Sequence, residues 1–327
     1  MSDPLVSIAI PVFNRERLLD RALESSIAQT YSSVEVVVSD NCSRDRSYEV
    51  AASWARRDSR VRVIRNERNL GPVENWRRCV NECRGGYLKI LYSDDWLEPS
   101  AVAKLLRPLL TSDALGFTYS KAQLETADGR ALTLYDAAPE GAIDGEEFLW
   151  QHLLGNVPVS PSAFLFRRDD FLRVFPAELP VPSSLPCRDY GIGFDAVPAW
   201  RLCLERPFVV RTADAVVHFG ESTRGERSFT LDLQHSGRSS LLEDCYLAAL
   251  LHVLGEVAPS RSRSLVNAGL LLTRWVFQPA NTRRSLASLK ALAPPGYRFW
   301  RVRLADQRVL RLLAAGLRRR SRQREVT

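Results

Sequence analysis

Val6-Ser-Ile-Ala-Ile-Pro-Val-Phe-Asn-Arg15 and Tyr87-Leu-Lys-Ile-Leu-Tyr-Ser-Asp-Asp95 decide the fold between them. Each is a short apolar run that stops abruptly on polar side chains. A run this short is not a helix, and its apolar residues are too continuous for a strand with one wet face. It reads as a strand buried on both sides. Val34-Glu-Val-Val-Val38, stopping on Ser39-Asp40-Asn41, and Val61-Arg-Val-Ile64 repeat the pattern. Between these runs, residues 18–28, 48–57, 73–83 and 99–110 carry apolar side chains at helical spacing. Strand and helix alternate, which predicts an α/β fold: a mostly parallel, Rossmann-like sheet with helices on both faces.

The pattern loosens beyond Gly116. Strands are expected at 117–119 and 131–135, around Asp128-Gly129, and at 162–166, 208–211 and 215–219. Helices are expected at 145–154 and at 195–205, the latter carrying Trp200. Four prolines between 176 and 186 mark a loop. From Ser239 onward the pattern is helical, broken at Pro294-Pro295. This divides the chain into a domain over 1–235, with halves 1–115 and 116–235, and a C-terminal helical region over 236–327.

Hydrophobic residues make up 45% and charged residues 25% of the 327, which excludes a disordered or fibrous chain. The net charge of +7 is unevenly placed. Residues 258–327 hold fifteen Arg and Lys290 against Asp306 and Glu325, a net +14, so residues 1–257 carry −7. A basic footprint for nucleic acid is therefore not spread over the protein, and no nucleic-acid partner is expected. Residues 297–313 mix Trp300, Leu304, Val309 and Leu312 with arginines. They read either as a basic amphipathic helix on an anionic membrane surface or as a solvated helix. The start of the chain lacks a leader pattern, no stretch reaches eighteen apolar residues, and the six cysteines lack Cys-x-x-Cys spacing. A cytoplasmic protein with reduced thiols is expected, in peripheral contact with the inner face of the membrane if its basic end binds there.

The polar residues that matter sit where strands end. Asn14, Asp40 and Asp94-Asp95 each follow the last apolar residue of an expected strand, the edge at which open α/β sheets bind ligands. Acids and amides gathered there suit a hydroxyl-rich ligand, or an anionic one carried with a metal. Neither a GxGxxG nor a GxxxxGK[ST] motif occurs, so a dinucleotide fingerprint and a P-loop are unsupported.

Five pieces in order resemble family 2 glycosyltransferases of the GT-A fold. They are Pro11-Val-Phe-Asn-Arg15; Gln29-Thr-Tyr31; Glu35 to Asn41 with Ser43 and Asp45; Asn69-Leu-Gly71; and Gly86 to Asp95 with Pro99. The likeness covers residues 5–110 and continues more faintly to about 230. It implies a metal-dependent, inverting transfer of a sugar, of the hexosyltransferase class, from a UDP-, dTDP- or GDP-linked donor to a hydroxyl acceptor. A saccharide or lipid-linked acceptor in cell-surface polysaccharide synthesis is implied, with a small natural product as the alternative.

By the same resemblance Asp95 holds Mg²⁺ or Mn²⁺, and Asp94 the ribose or the metal shell. Asp40 meets the nucleobase edge. Pro11, Phe13, Asn14, Arg15 and Asn69 complete the nucleotide-sugar site. The catalytic base is sought at the head of a helix that precedes a strand. Asp195 has that layout, with Asp189 as the competitor. His218 and Glu221 are further candidates for the metal or the diphosphate, a packed histidine being the other reading of His218. Three positions depart from the family pattern: Asn41, Tyr92 and Phe194 stand where acids are common. Tyr92 and Phe194 favour a second class, a nucleotide-sugar or glycan-binding module without catalysis. The oligomeric state stays open.

Overall fold

Alternate residues of β1 (Val6–Val12) point into two different cores. Val6, Ile8, Ile10 and Val12 pack with Leu19, Leu23, Val36 and Leu105 on one side. Ala9 joins Val37, Val73, Leu88 and Phe117 on the other. The computed structural model describes residues 3–125, 130–153, 155–182, 184–185, 187–220 and 239–256.

The first half alternates as expected: β1, α1 (Leu19–Ile27), β2 (Val34–Asp40), α2 (Ser47–Arg57), β3 (Val61–Arg65), α3 (Pro72–Asn81), β4 (Tyr87–Ile90). β3, β2, β1 and β4 lie side by side and all run parallel. Gly71, at φ 80°, turns the chain into α3, and Pro72 takes the first helical position, where a missing N–H costs nothing. The chain continues through β5 (Trp96–Leu97), α4 (Ala101–Leu109), β6 (Leu115–Glu125), β7 (Ala131–Leu134), β8 (Gly141–Asp144) and α5 (Gly145–Leu153). A 3₁₀ turn at Pro161–Ala163 leads into β9 (Phe164–Arg167), α6 (Arg168–Val174), α7 (Cys187–Tyr190), α8 (Val197–Glu205), β10 (Phe208–Gly220) and α9 (Ser239–Glu256).

Among the described residues ten strands form one sheet, in the order β3-β2-β1-β4-β9-β6-β10-β5, with β7 on β6 and β8 on β10. The parallel half is joined to the rest by β9, which is antiparallel to both β4 and β6. The sheet therefore runs unbroken across the 115/116 division. Helix α9 lies beyond 235, yet Cys245, Ala249 and Leu251 are buried in the core that holds α8.

The structure differs from the expected elements in instructive places. β4 stops at Ile90 rather than Tyr92 because the Asp95 N–H turns back to the Tyr92 carbonyl, 3.0 Å away. That turn lets Trp96–Leu97 form a two-residue strand against β10, which no periodicity reveals. The two expected strands at 208–211 and 215–219 are one strand with register shifts between Arg211 and Val217. The six cysteines are free thiols and five are buried. Among the described residues no helix is long and apolar enough to cross a membrane. Glu221, Pro294-Pro295 and the basic segment 297–313 lie outside the described residues.

Candidate active site

The β1–α1 loop is tied to the β2–α2 loop residue by residue. Asn14 adopts φ 53°, a left-handed conformation that asparagine tolerates better than most side chains. Its N–H donates to Ser43 Oγ (3.0 Å) and its Oδ1 accepts from the Arg44 N–H (2.9 Å). The Arg15 N–H donates to Ser47 Oγ at 2.7 Å. Both loops are thus fixed at the carboxyl edge of the sheet before any ligand arrives.

Beneath them lies a cluster of amides. Asn41 donates through Nδ2 to Asn69 Oδ1 (2.9 Å) and the Gly71 carbonyl (3.2 Å). Its Oδ1 accepts from Asn66 Nδ2 (3.0 Å) and the Leu70 N–H (2.8 Å). A carboxylate has no hydrogen to donate. This accounts for an amide at a position where an acid was the common choice: Asn41 bolts the loop before α3 to the end of β2.

A cavity of about 580 Å³ opens above this edge. Of the expected site residues, Pro11, Phe13, Asn14, Arg15, Asn69, Asp94, Asp189 and Asp195 all line it. Asp40, Asp95 and His218 do not, and each has another engagement. The Asp40 side chain is fully buried, accepts from the Ser43 N–H (3.2 Å) and sits 3.5 Å from Arg65 Nε. Its oxygens brace the loop that follows β2.

Asp95 is 6% exposed, and its Oδ1 accepts from the Gly220 N–H at the end of β10 (3.3 Å). Asp94 is the member of the pair that faces the cavity. Burial pushes both carboxyls up, Arg15 opposes this at Asp94, and the charge of Asp94 pushes Asp95 further. A buried acid and a half-buried neighbour that both resist ionising are a setting that a divalent cation relieves, and oxygen ligands suit Mg²⁺ or Mn²⁺. Among the described residues no third His, Cys, Asp or Glu joins them. His218 in particular is not a partner. Its Nε2 lies 2.5 Å from Glu98 Oε1, and its ring stacks on Trp96 with centroids 5.0 Å apart. The reading of a packed histidine is the one the geometry supports.

The far wall comes from the end of α7 and the loop between α7 and α8. Asp189 is exposed at the rim, while Asp195 lies deeper. Asp195 Oδ1 accepts from the Gly193 N–H (3.1 Å) and the Ala196 N–H (3.0 Å), and Oδ2 from the Tyr246 hydroxyl (2.8 Å). Burial pushes this carboxyl up to about 7, against the pull of those three hydrogen bonds. Gly191 and Gly193 both have positive φ. A Cβ on Gly191 would sit 2.4 Å from Trp76 Cη2, and one on Gly193 would sit 2.7 Å from Ala249 Cβ. Glycine lets the loop press against α3 and α9 at once. Phe194, next to Gly193, is packed in the core at 2% exposed, an apolar setting in which an acid would be costly.

Sequence reasoning noted Tyr92 only as a departure from the family pattern and did not single out Trp76 or Tyr246 as lining residues. Trp76 and Tyr92 form a tilted pair with centroids 5.6 Å apart, and the Tyr92 hydroxyl is buried without a partner among the described residues. Tyr246 reaches the cavity from α9. Only the spaced glycines around Ile192 gave a signal that this loop packs closely on something.

A sheet whose parallel strands end at a cavity-facing acid, continued through antiparallel β9 into a mixed second half, is the arrangement of the GT-A class. The model of Glycosyl transferase family 2 matches residues 7–175, just over half of the chain, and the protein belongs to that family. Succinoglycan biosynthesis protein ExoO of Rhizobium meliloti is 30% identical over 201 residues, 56% of this chain and 56% of the relative. Putative glycosyltransferase EpsH of Bacillus subtilis is 34% identical over 108 residues, 33% of this chain and 31% of the relative. The match therefore spans between about a third and just over half of these relatives' length. In structure the chain is similar to S. aureus TarS 1–349 in complex with UDP-GlcNAc. The TM-score is 0.61 at 15% identity, over 88% of this chain and 78% of that one. Mannosyltransferase PcManGT from Pyrobaculum calidifontis, in complex with GDP-Man and Mn²⁺, gives 0.52 at 15% identity, over 97% and 87%. These two likenesses concern the fold.

Proposed function

We propose that this chain is an inverting glycosyltransferase, moving a sugar from a nucleoside-diphosphate donor to a hydroxyl acceptor. One observation carries the reading: a single cavity is lined by Asn14, Arg15 and Asp94 from the strand ends and by the half-buried Asp195. The first group suits a nucleoside diphosphate, with the Arg15 guanidinium facing its negative charge. The second suits an acceptor hydroxyl.

The reaction is a single displacement. The acceptor oxygen bonds to the anomeric carbon from the face opposite the leaving group, which inverts that centre. The bond from the anomeric carbon to the phosphate oxygen breaks, and the electron pair leaves with the diphosphate. Asp195 takes the acceptor's proton. A base is most effective when its proton affinity is near the working pH, and about 7 meets that condition. Asp94, backed by Asp95, would hold Mg²⁺ or Mn²⁺, which supplies positive charge to the departing diphosphate. This alters the roles expected from the sequence, since Asp94 is the member that faces the cavity. Neighbours of the same fold bound to UDP-GlcNAc or to GDP-Man with Mn²⁺ support a donor and cation of these classes. ExoO, a succinoglycan biosynthesis protein, supports an acceptor in polysaccharide synthesis.

Titration calorimetry and product release against a panel of UDP-, dTDP- and GDP-sugars with Mn²⁺ test the reading. Asp195→Asn is expected to keep donor binding and lose transfer. Transfer lost in Asp189→Asn instead would make Asp189 the base. Tight donor binding with no release across the panel would make the chain a binding module.

A further inference from the structure

The geometry points to Tyr246, on α9, as a positioning residue for the transfer: its hydroxyl holds Asp195 so that one oxygen lone pair is left facing the cavity. The inference rests on Asp195 being the base. It adds that the base is incomplete without a helix 51 residues further along the chain, beyond the stretch matched by the family model.

A carboxylate offers about four lone-pair sites. Two on Oδ1 are taken by the Gly193 and Ala196 N–H groups, and one on Oδ2 by Tyr246. One site on Oδ2 remains, and Asp195 lines the cavity. The backbone donors alone fix Oδ1 but leave the carboxylate free to rock about it. The phenol removes that freedom.

Tyr246 is itself fixed. Its ring packs edge-on to Trp200 of α8, centroids 6.5 Å apart. One turn further along α9, Ala249 faces the space where a Gly193 Cβ would be. Burial and the charge of Asp195 push the phenol up, so it keeps its proton and acts as donor.

The hydrogen bond also favours the ionised carboxylate, opposing burial. The other ionisable groups around the cavity are Tyr92 after β4, Asp189 and Tyr190 on α7, and Arg15 and Asp94 at the strand ends. Tyr92 is also pushed up by burial and stays neutral.

The test is a carboxyl ¹³C NMR titration of the full chain, with the Asp195 signal assigned by its loss in Asp195→Asn. Tyr246→Phe removes one oxygen and keeps the ring. Its Asp195 midpoint is expected to rise by about one pH unit, the size of a lost charge-assisted hydrogen bond. Tyr246→His, which retains a ring donor, is expected to fall between the two and serves if the Phe variant does not fold. An unchanged midpoint in the folded variant overturns the proposal. Hydrolysis of UDP-GlcNAc and GDP-Man across pH is the second readout. Tyr246→Phe should lose roughly fivefold at pH 7 and recover toward pH 9, which a merely structural defect would not do. Wild-type turnover in Asp195→Asn would remove the base assignment while leaving the midpoint shift standing, so the two failures are distinguishable.

Discussion

Replacing Asp195 by Asn should make the protein more stable at alkaline pH while removing transfer. An unfolded aspartate ionises near 3.8, whereas in the fold this one is pushed up to about 7. Below the lower value both states hold the proton and the residue contributes nothing. Between the two, the unfolded chain releases the proton and the fold keeps it, so stability falls as pH rises. Above 7 the full cost of burying the charge is present. About three pH units correspond to about 4 kcal/mol. Water in the open cavity screens part of this, so a gain of about 1–3 kcal/mol at pH 8 is expected. Asn fits the same bonds: its Oδ1 accepts from the Gly193 and Ala196 N–H groups, and its Nδ2 donates to the Tyr246 oxygen, which reverses its role. Urea unfolding at pH 8 and pH 4.5, extrapolated linearly to water, measures the difference. The margin of Asn over Asp should be largest at pH 8 and shrink to within about 1 kcal/mol at pH 4.5. An equal margin at both pH values, or an Asn variant less stable at pH 8, would refute the argument that burial dominates this carboxyl.

Gly191→Ala combines a positive φ with a Cβ 2.4 Å from Trp76, and should cost about 2–4 kcal/mol in urea unfolding; an unchanged midpoint would mean that the loop moves freely off the indole. Asn41→Asp loses two donated bonds and should lower stability by about 2–3 kcal/mol, read by thermal unfolding; equal stability would remove the amide cluster as the reason for Asn41. Asp94→Asn should weaken Mn²⁺-dependent UDP binding at least tenfold in calorimetry while leaving the circular dichroism spectrum intact, and wild-type affinity would discard Asp94 as the cation's ligand. Deleting residues 296–327 should lower binding to anionic liposomes; binding equal to that of the full chain would remove the basic end as a membrane contact.

What was legible followed from local physics. β1, β2 and β4 are buried on both faces, so every residue must be apolar or locally satisfied, and the runs announce themselves. Their ends announce the ligand edge for the same reason: Asn14 and Asp94 are the first amide or carboxylate side chains beyond β1 and β4. Short edge strands such as β5 carry no such signal, because two residues cannot show a period. β10 was divided in the reading because its irregular middle, Thr212 to Asp214, looks like a turn, although the strand continues past a bulge.

The site was legible only in halves. Asp94 and Asp95 are neighbours in sequence with equal chemistry, and the turn after β4 decides which one faces the cavity. Asp189 and Asp195 both satisfied the expected layout; the close approach of the glycine loop to Trp76 and Ala249 is what leaves one at the rim and the other deep. Tyr246 had no signal at all. A tyrosine on an apolar helix is ordinary, and its meaning comes from packing against a carboxyl 51 residues away.

By itself, then, the sequence determined the alternating sheet, the family resemblance and the acids at the strand ends, because each depends on neighbours along the chain. The tertiary structure decided which of those acids face the cavity, turned His218 to Glu98 and Trp96, and brought α9 to Asp195. Burial and hydrogen-bond partners set the ionisation and direction of a side chain, and those are contributed by residues that only folding makes adjacent.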